Sequence, residues 1–297
     1  MEKLRNNVNK GIFYMLISSA SMTIMNAFIK ALSNEIPTIE MVFFRNIIGV
    51  FLICLTFLKA PIRQKGGKPY LLLFRGMAGF IAMLAFFYNI YHIPLADAVA
   101  YSRTSPIFTA IFAMIFLKES LGKRGWLAIG LGFLGMLLVM QPSSGFTKDH
   151  IFGFVNAIFA ALAFTSIREL KKYYDTRSIV LVFMGTGTLV PVILMILSQY
   201  TYNPSFDFML GKFQMPQGIA WFYLLGMGVF SSLGQIFMTK AYGETKAGIV
   251  GAIGYSIIVF SIVVGVSMGD ALPNLLAFMG IFAIIGGGLL NIKGRKN

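Results

Sequence analysis

Ten apolar runs separated by short polar breaks set the rhythm of the chain: 11–30, 38–58, 70–90, 95–117, 125–141, 152–170, 178–198, 217–239, 247–268 and 272–291. A helix needs about 17–25 apolar residues to cross a bilayer, and helices and closed barrels are the only structures that satisfy their own backbone there. The pattern predicts an all-α membrane protein with ten transmembrane helices. Short connections predict antiparallel neighbours. The longest, QYTYNPSFDFMLGKFQMP at 199–216, is rich in aromatic residues and Pro and is expected on the membrane surface. The start, MEKLRNNVNK, resembles the basic region of a signal peptide. Because a long apolar run and nine more spans follow, it reads as the lead-in to an uncleaved first helix.

Charge adds orientation. Of 25 Lys and Arg, nineteen fall on one side: the N-terminus, the loops 59–69, 118–124, 171–177 and 240–246, Arg168 and the C-terminal tail. The other side holds Lys148 and Lys212. By the positive-inside rule both termini are cytoplasmic. The formal net charge of +14 is thereby explained by topology, and no nucleic-acid partner is expected. With 57% hydrophobic and 12% charged residues, the partners implied are the lipid bilayer and a small-molecule substrate. A homodimer is the protein assembly considered. One cysteine, Cys54, allows no intramolecular disulfide. No Cys/His cluster, P-loop, G-x-S-x-G or HExxH occurs, so no cofactor, metal or enzymatic activity is expected.

Two halves, 1–145 and 146–297, show a weak internal repeat. A shift of 142 aligns Gly11 with Gly153, Thr23 with Thr165 and Lys30 with Lys172. A shift of 151 aligns Tyr91 with Tyr242, Ala96 with Ala247, Ser105 with Ser256 and Glu119 with Asp270. Five spans per unit force opposite orientations, and KESLGKRG in the first unit faces the uncharged-to-acidic GDALPN in the second. Two inverted five-helix repeats are the usual build of a secondary transporter, with its site near the midplane. Small residues four apart, at Ala128/Gly132, Ala157/Ala161 and Gly265/Gly269, and again in the run Gly286–Gly288, read as helix-packing positions.

The stretch LADAVAYSRTSPIFTAIFAMIFL (95–117) carries Arg103 roughly 12 Å into a span, followed by Pro106, which cannot satisfy the carbonyl of Ser102. Charge and broken backbone are tolerated only against protein or a water-filled cavity. Helical geometry places Asp97, Tyr101, Thr104 and Phe108 on one face with Ser105 at its edge. Tyr255 and Ser256 take the places of Thr104 and Ser105 in the second unit, and Gly254 that of Arg103. Such faces would make a cavity wall of aromatic surface and hydroxyls; the plainer alternative is that they only bond neighbouring helices. Arg103 points about 160° away from Tyr101, and backbone carbonyls, water or an anionic substrate group are its available partners. The candidate substrate-binding set is Asn26, Tyr101, Arg103, Thr104, Ser105, Thr165, Gln235, Tyr255 and Ser256, with hinges at Pro106, Gly251 and Gly254. Asn89 and Asn156 are further polar positions. Arg45 and Arg75 are expected to snorkel to the interfaces, with Glu40 as an alternative partner for Arg45. All eleven acidic residues lie in loops or near span ends, so no proton relay is evident. Facilitated diffusion or exchange is at least as well supported as proton coupling.

The whole chain, and above all RGMAGFIAMLAFFYNIYHIPLADAVAYSRTSPIFTAIFAMIFLKESL, resembles the EamA-type carriers of the drug/metabolite transporter superfamily. IPLADA, Ser105–Pro106 and Leu117–Glu119 carry most of the likeness. The second half departs from it, with Ile257 where the first has Pro106. The resemblance implies a cytoplasmic-membrane carrier working by alternating access, with a cavity lined by helices one, three, four, six, eight and nine. Members move amino acids, nucleotide-derived compounds and vitamins. Arg75–Gly76 and PLADA look nearest to the group containing S-adenosylmethionine uptake carriers. A channel would need a filter or polar ring, and neither is visible. The competing class is a membrane structural or assembly protein.

Overall fold

The computed structural model describes residues 2–32, 35–59, 65–105, 107–108, 111–112, 115, 123–140, 147–170, 172–201, 206, 208–244 and 253–294. Among the described residues it is all-helical: α1 (Glu2–Leu32), α2 (Thr38–Lys59), α3 (Pro69–His92), α4 (Leu95–Ser102), α5 (Lys123–Met140), α6 (Lys148–Leu170), α7 (Thr176–Leu197), α8 (Ala220–Glu244), α9 (Ser256–Ser267) and α10 (Leu275–Gly294). Among the described residues six helical stretches are long and apolar enough to cross a membrane: Lys10–Leu32, Thr38–Leu58, Pro69–His92, Lys148–Ile167, Arg177–Leu197 and Ala220–Met238. Shorter apolar helices occupy Ile129–Val139, Ser256–Ser267 and Leu275–Gly287. Large apolar side chains such as Phe51, Leu189, Val263 and Phe282 point outward, as a lipid-facing surface requires.

The principal packing pairs are α1 with α8, α3 with α6, α5 with α10, α2 with α7, α3 with α7, α2 with α8, α1 with α9, α4 with α9 and α4 with α6. In lipid, helices associate through close fit rather than through a hydrophobic drive, and glycines supply the notches. The Phe28 ring fills the space a Cβ of Gly226 would need, and Ser18 Oγ donates to the Gly234 carbonyl at 2.8 Å, both joining α1 to α8. Asn156 Nδ2 likewise donates to the Ala82 carbonyl at 2.7 Å, joining α6 to α3. On α5 and α10 the two backbones themselves meet at Gly135 and Gly280. Gly132 receives Ile107, and Ala157 and Ala161 are fully buried against Phe108. Two expected packing glycines serve otherwise. Gly286 has open space where its side chain would be, and Gly269 sits at φ +95 in a turn.

That turn ends α9 as a Schellman motif. The Gly269 N–H donates to Val266 O at 3.1 Å and the Asp270 N–H to Gly265 O at 2.9 Å, satisfying the last carbonyls of the helix. It also delivers Asp270 to the end of the bundle away from the basic loops. There Asp270 Oδ1 pairs with Lys30 Nζ at the end of α1, and Oδ2 accepts from the Leu95 N–H at 3.0 Å. Pro94 has no side-chain oxygen to cap α4, so a carboxylate from another element does it. Asp270→Ala removes an acceptor from both partners, where they are mostly out of water. We expect it to cost about 1–3 kcal/mol, read as a lower unfolding midpoint in detergent. The Lys30→Gln/Asp270→Asn pair should recover part of that loss.

Two expectations are corrected at this end. The 199–216 connection does not simply lie on the surface. Phe208 is buried, edge-on to Tyr88 and Phe152 at 5.2 and 4.8 Å, where Tyr88 also stacks on Phe152 and His92. Glu40 does not pair with Arg45: its Oε2 accepts from the Gln214 N–H at 3.0 Å, tying the same connection to α2. At the basic end the 65–68 loop docks on Tyr173, whose carbonyl accepts from the Lys65 and Gly66 N–H groups at 3.1 and 3.0 Å. Glu169 there bonds both Lys68 and Lys172.

Candidate functional site

The stretch expected to form a single fourth span is interrupted. α4 stops at Ser102, Arg103 and Thr104 form a turn, and helix resumes at Ser105. Bonding tightens there: Thr104 N–H donates to Tyr101 O at 3.0 Å and Ile107 N–H to Thr104 O at 2.9 Å. The Thr104 hydroxyl also donates to Tyr101 O at 2.7 Å, so it serves the break itself. Pro106 lies outside the described residues. In the second half Ile253 and Gly254 are helical, Tyr255 forms a turn, and α9 begins at Ser256. The Ile258 N–H donates to Tyr255 O at 3.0 Å. Thr104/Ile107 and Tyr255/Ile258 are each 151 residues apart, the offset found in the sequence. Gly251 lies outside the described residues.

The two interruptions are neighbours. Arg103 Nη1 is 3.8 Å from the position a Gly254 Cβ would occupy, and Met15 Cε of α1 is 2.9 Å from it. A Cβ at 254 would press on Met15 and come to ordinary contact distance from the Arg103 guanidinium. Tyr255 and Ser105 are buried here, and Ser256 is half-buried with its Oγ unpartnered. Gln235 follows Gly234, whose carbonyl holds Ser18 less than a turn from Met15. It therefore lies close to the same level.

Other predicted residues go elsewhere. Tyr101 turns to α6: its hydroxyl shares a 3.0 Å hydrogen bond with His150 Nδ1, and its ring covers Gly153 and packs with Met136. Phe108 packs on Phe133. Tyr101 and Phe108 both pack on Phe133 of α5 and Phe154 of α6. Asn26 is buried with both amide atoms unpartnered, but it is roughly 16 Å along α1 from Met15. Thr165 Oγ1 donates to Ala161 O one turn back. Asn89, with its amide oriented to suit its neighbours, donates to Asp149 O and accepts from the Gly153 N–H. It pins α3 to the first turn of α6. Sequence reasoning did not join His150 to Tyr101, because the partner arrives on a different helix. Among the described residues no three His, Cys, Asp or Glu side chains gather as a metal site would require.

Arg45 and Arg75 were expected to snorkel. Instead they are 4% and 7% exposed, and both stand over the ring of Phe183 on α7.

Comparison with known proteins gives the family. The EamA-like transporter family model matches residues 9–141 and 147–293. An uncharacterized transporter of Helicobacter pylori is 33% identical over 97% of this chain and 96% of its own length. A pseudopaline exporter of Pseudomonas aeruginosa is 33% identical over 94% of each chain. An S-adenosylmethionine uptake transporter of Rickettsia felis is 25% identical over 96% of this chain and 93% of its own. A crystal structure with 17% identity superposes with a TM-score of 0.60 over 93% of this chain and 95% of that one, which shows a shared fold. With matches over nearly its whole length and helices built to cross a bilayer, the chain belongs to the EamA-like transporter family and is a multi-pass membrane transporter, not an enzyme.

Proposed function

We propose that the protein is a secondary carrier of the cytoplasmic membrane that moves a small organic metabolite by alternating access. Its two halves, 1–145 and 146–297, act as inverted five-helix repeats with both termini cytoplasmic. The observation that carries this reading is the juxtaposed pair of helix breaks at Arg103–Thr104 and at Tyr255, with the Arg103 guanidinium against Gly254. Packing supports it as well. Exchanging each helix with the one five places along turns α1–α8 into α6–α3, α2–α8 into α7–α3 and α1–α9 into α6–α4, and returns α2–α7, α4–α9 and α5–α10 to themselves. Broken helices facing each other at the repeat interface are where carriers bind substrate.

In this reading Arg103 meets an anionic group of the substrate. Ser105, Tyr255, Ser256 and Gln235 supply hydroxyl and amide contacts, and Thr104 and Gly254 allow the bend. The substrate class is amino-acid, nucleotide-derived or vitamin-like. An S-adenosylmethionine-like compound is favoured by the resemblance of Arg75–Gly76 and PLADA to that group of carriers and by the Rickettsia relative. Relatives named for uptake and for export show that both directions occur among them.

The test compares small-molecule profiles of cells and medium in three strains: one lacking the protein, one overproducing it, and one overproducing Arg103→Ala at matched membrane abundance. One metabolite class should shift with the wild type, which assigns direction. The mutant should reduce that shift about tenfold or more, the equivalent of one lost charge-assisted contact. An equal shift in the mutant would remove Arg103 from the site.

A further inference from the structure

A second cationic centre lies apart from the helix breaks, where α2, α3 and α7 pack together. Arg45 on α2 and Arg75 on α3 are both more than nine-tenths buried. Their guanidinium carbons stand 5.7 and 4.7 Å from the centroid of the same ring, Phe183 of α7. An aromatic face attracts a cation but does not replace its hydrogen-bond acceptors. Arg45 Nη1 donates to Asn46 Oδ1 at 3.1 Å and to Met83 Sδ at 2.9 Å, both neutral, and its Nε has no partner. Arg75 leaves Nε and Nη1 without partners. Among the described residues neither forms an ion pair; Glu40, the acid nearest in sequence, is turned to Gln214. A glycine shapes the place: a Cβ on Gly79 would stand 2.4 Å from Arg75 Nη1 and 2.7 Å from the Phe183 edge.

Two buried like charges with bare donors and no acid are costly unless something neutralises them. Guanidinium forks match the oxygens of a carboxylate or a phosphate. We propose that Arg45 and Arg75 together hold an anionic oxygen group, carboxylate or phosphate, in a site framed by α2, α3 and α7. The role given to Arg103 is not needed for this: the site uses different helices, and its test reads binding rather than transport.

The full-length protein is purified in neutral detergent with anionic lipid removed. Its unfolding midpoint is followed against sodium phosphate, sodium succinate and phosphatidylglycerol, with sodium chloride at equal ionic strength and phosphatidylcholine as controls. The wild type should show saturable stabilisation beyond the controls. Arg45→Gln and Arg75→Gln should each weaken the apparent affinity at least tenfold, while Lys10→Gln, on the exposed surface of α1, leaves it unchanged. Stabilisation by phosphate or succinate identifies an aqueous ligand, and stabilisation by phosphatidylglycerol alone identifies a lipid headgroup. Gly79→Ala keeps both charges but crowds Arg75, and should weaken binding even if the Gln variants do not fold. No stabilisation of the wild type by any of the three probes overturns the proposal, as does equal stabilisation of the variants.

Discussion

Gly135→Val is expected to lower the folded-to-unfolded ratio at least about tenfold, a loss of about 1.4 kcal/mol or more, and to cut abundance in the membrane several-fold. A Cβ at 135 would stand 2.6 Å from the Gly280 carbonyl oxygen and 2.8 Å from Ile284 N, and one at 280 would stand 2.5 Å from the Gly135 oxygen. These neighbours are backbone, so no rotamer change relieves the clash. The helices must separate along their whole crossing, and overpacking of this kind typically costs about 1–3 kcal/mol or more. Lost van der Waals contact between α5 and α10 adds to it, since close packing is a main driver of helix association in lipid. Gly130→Val is the matched control: the same helix, with open space at that position. Quantifying both by fluorescence-detected size-exclusion chromatography decides the matter. Equal, monodisperse yields would mean the crossing is wrong.

Gly254→Leu should do the reverse, leaving abundance near normal while flux falls about tenfold or more. Here the nearest obstacle is the end of a flexible side chain, Met15 Cε, which can swing aside for Ala. A leucine reaches past it into the Arg103 guanidinium. Gly254→Ala is therefore expected to transport close to wild type and Gly254→Leu poorly, measured as uptake or efflux of the metabolite that the three-strain comparison identifies. Normal flux through Gly254→Leu would take the paired breaks off the permeation path.

The helices were legible because an apolar run of bilayer length has few alternatives. The break in the fourth span was legible because Pro106 removes a backbone donor and Arg103 marks a costly position. What the residues did not reveal is where side chains go once another helix arrives. Tyr101 was read as part of a cavity wall, but its ring packs on α5 and α6, and His150, 49 positions on, shares a hydrogen bond with its hydroxyl. Lys30 and Asp270 meet across 240 positions. Arg45 and Arg75 sit at depths where snorkelling is normally available. Their burial depends on Phe183, over a hundred residues away, and on the small footprint of Gly79.

Those two arginines also give the transporter an electrical character. Moving one charge through the full membrane potential is worth about 2.3 kcal/mol per 100 mV. If α2 and α3 rock so that both guanidinium groups cross a quarter of the field, the two conformations differ by about 1 kcal/mol at 100 mV, roughly a sevenfold bias in their populations. A bound monoanion would halve that load and a dianion would cancel it. The resting voltage of the cell would then favour one orientation of the empty carrier and release its hold once the site is filled.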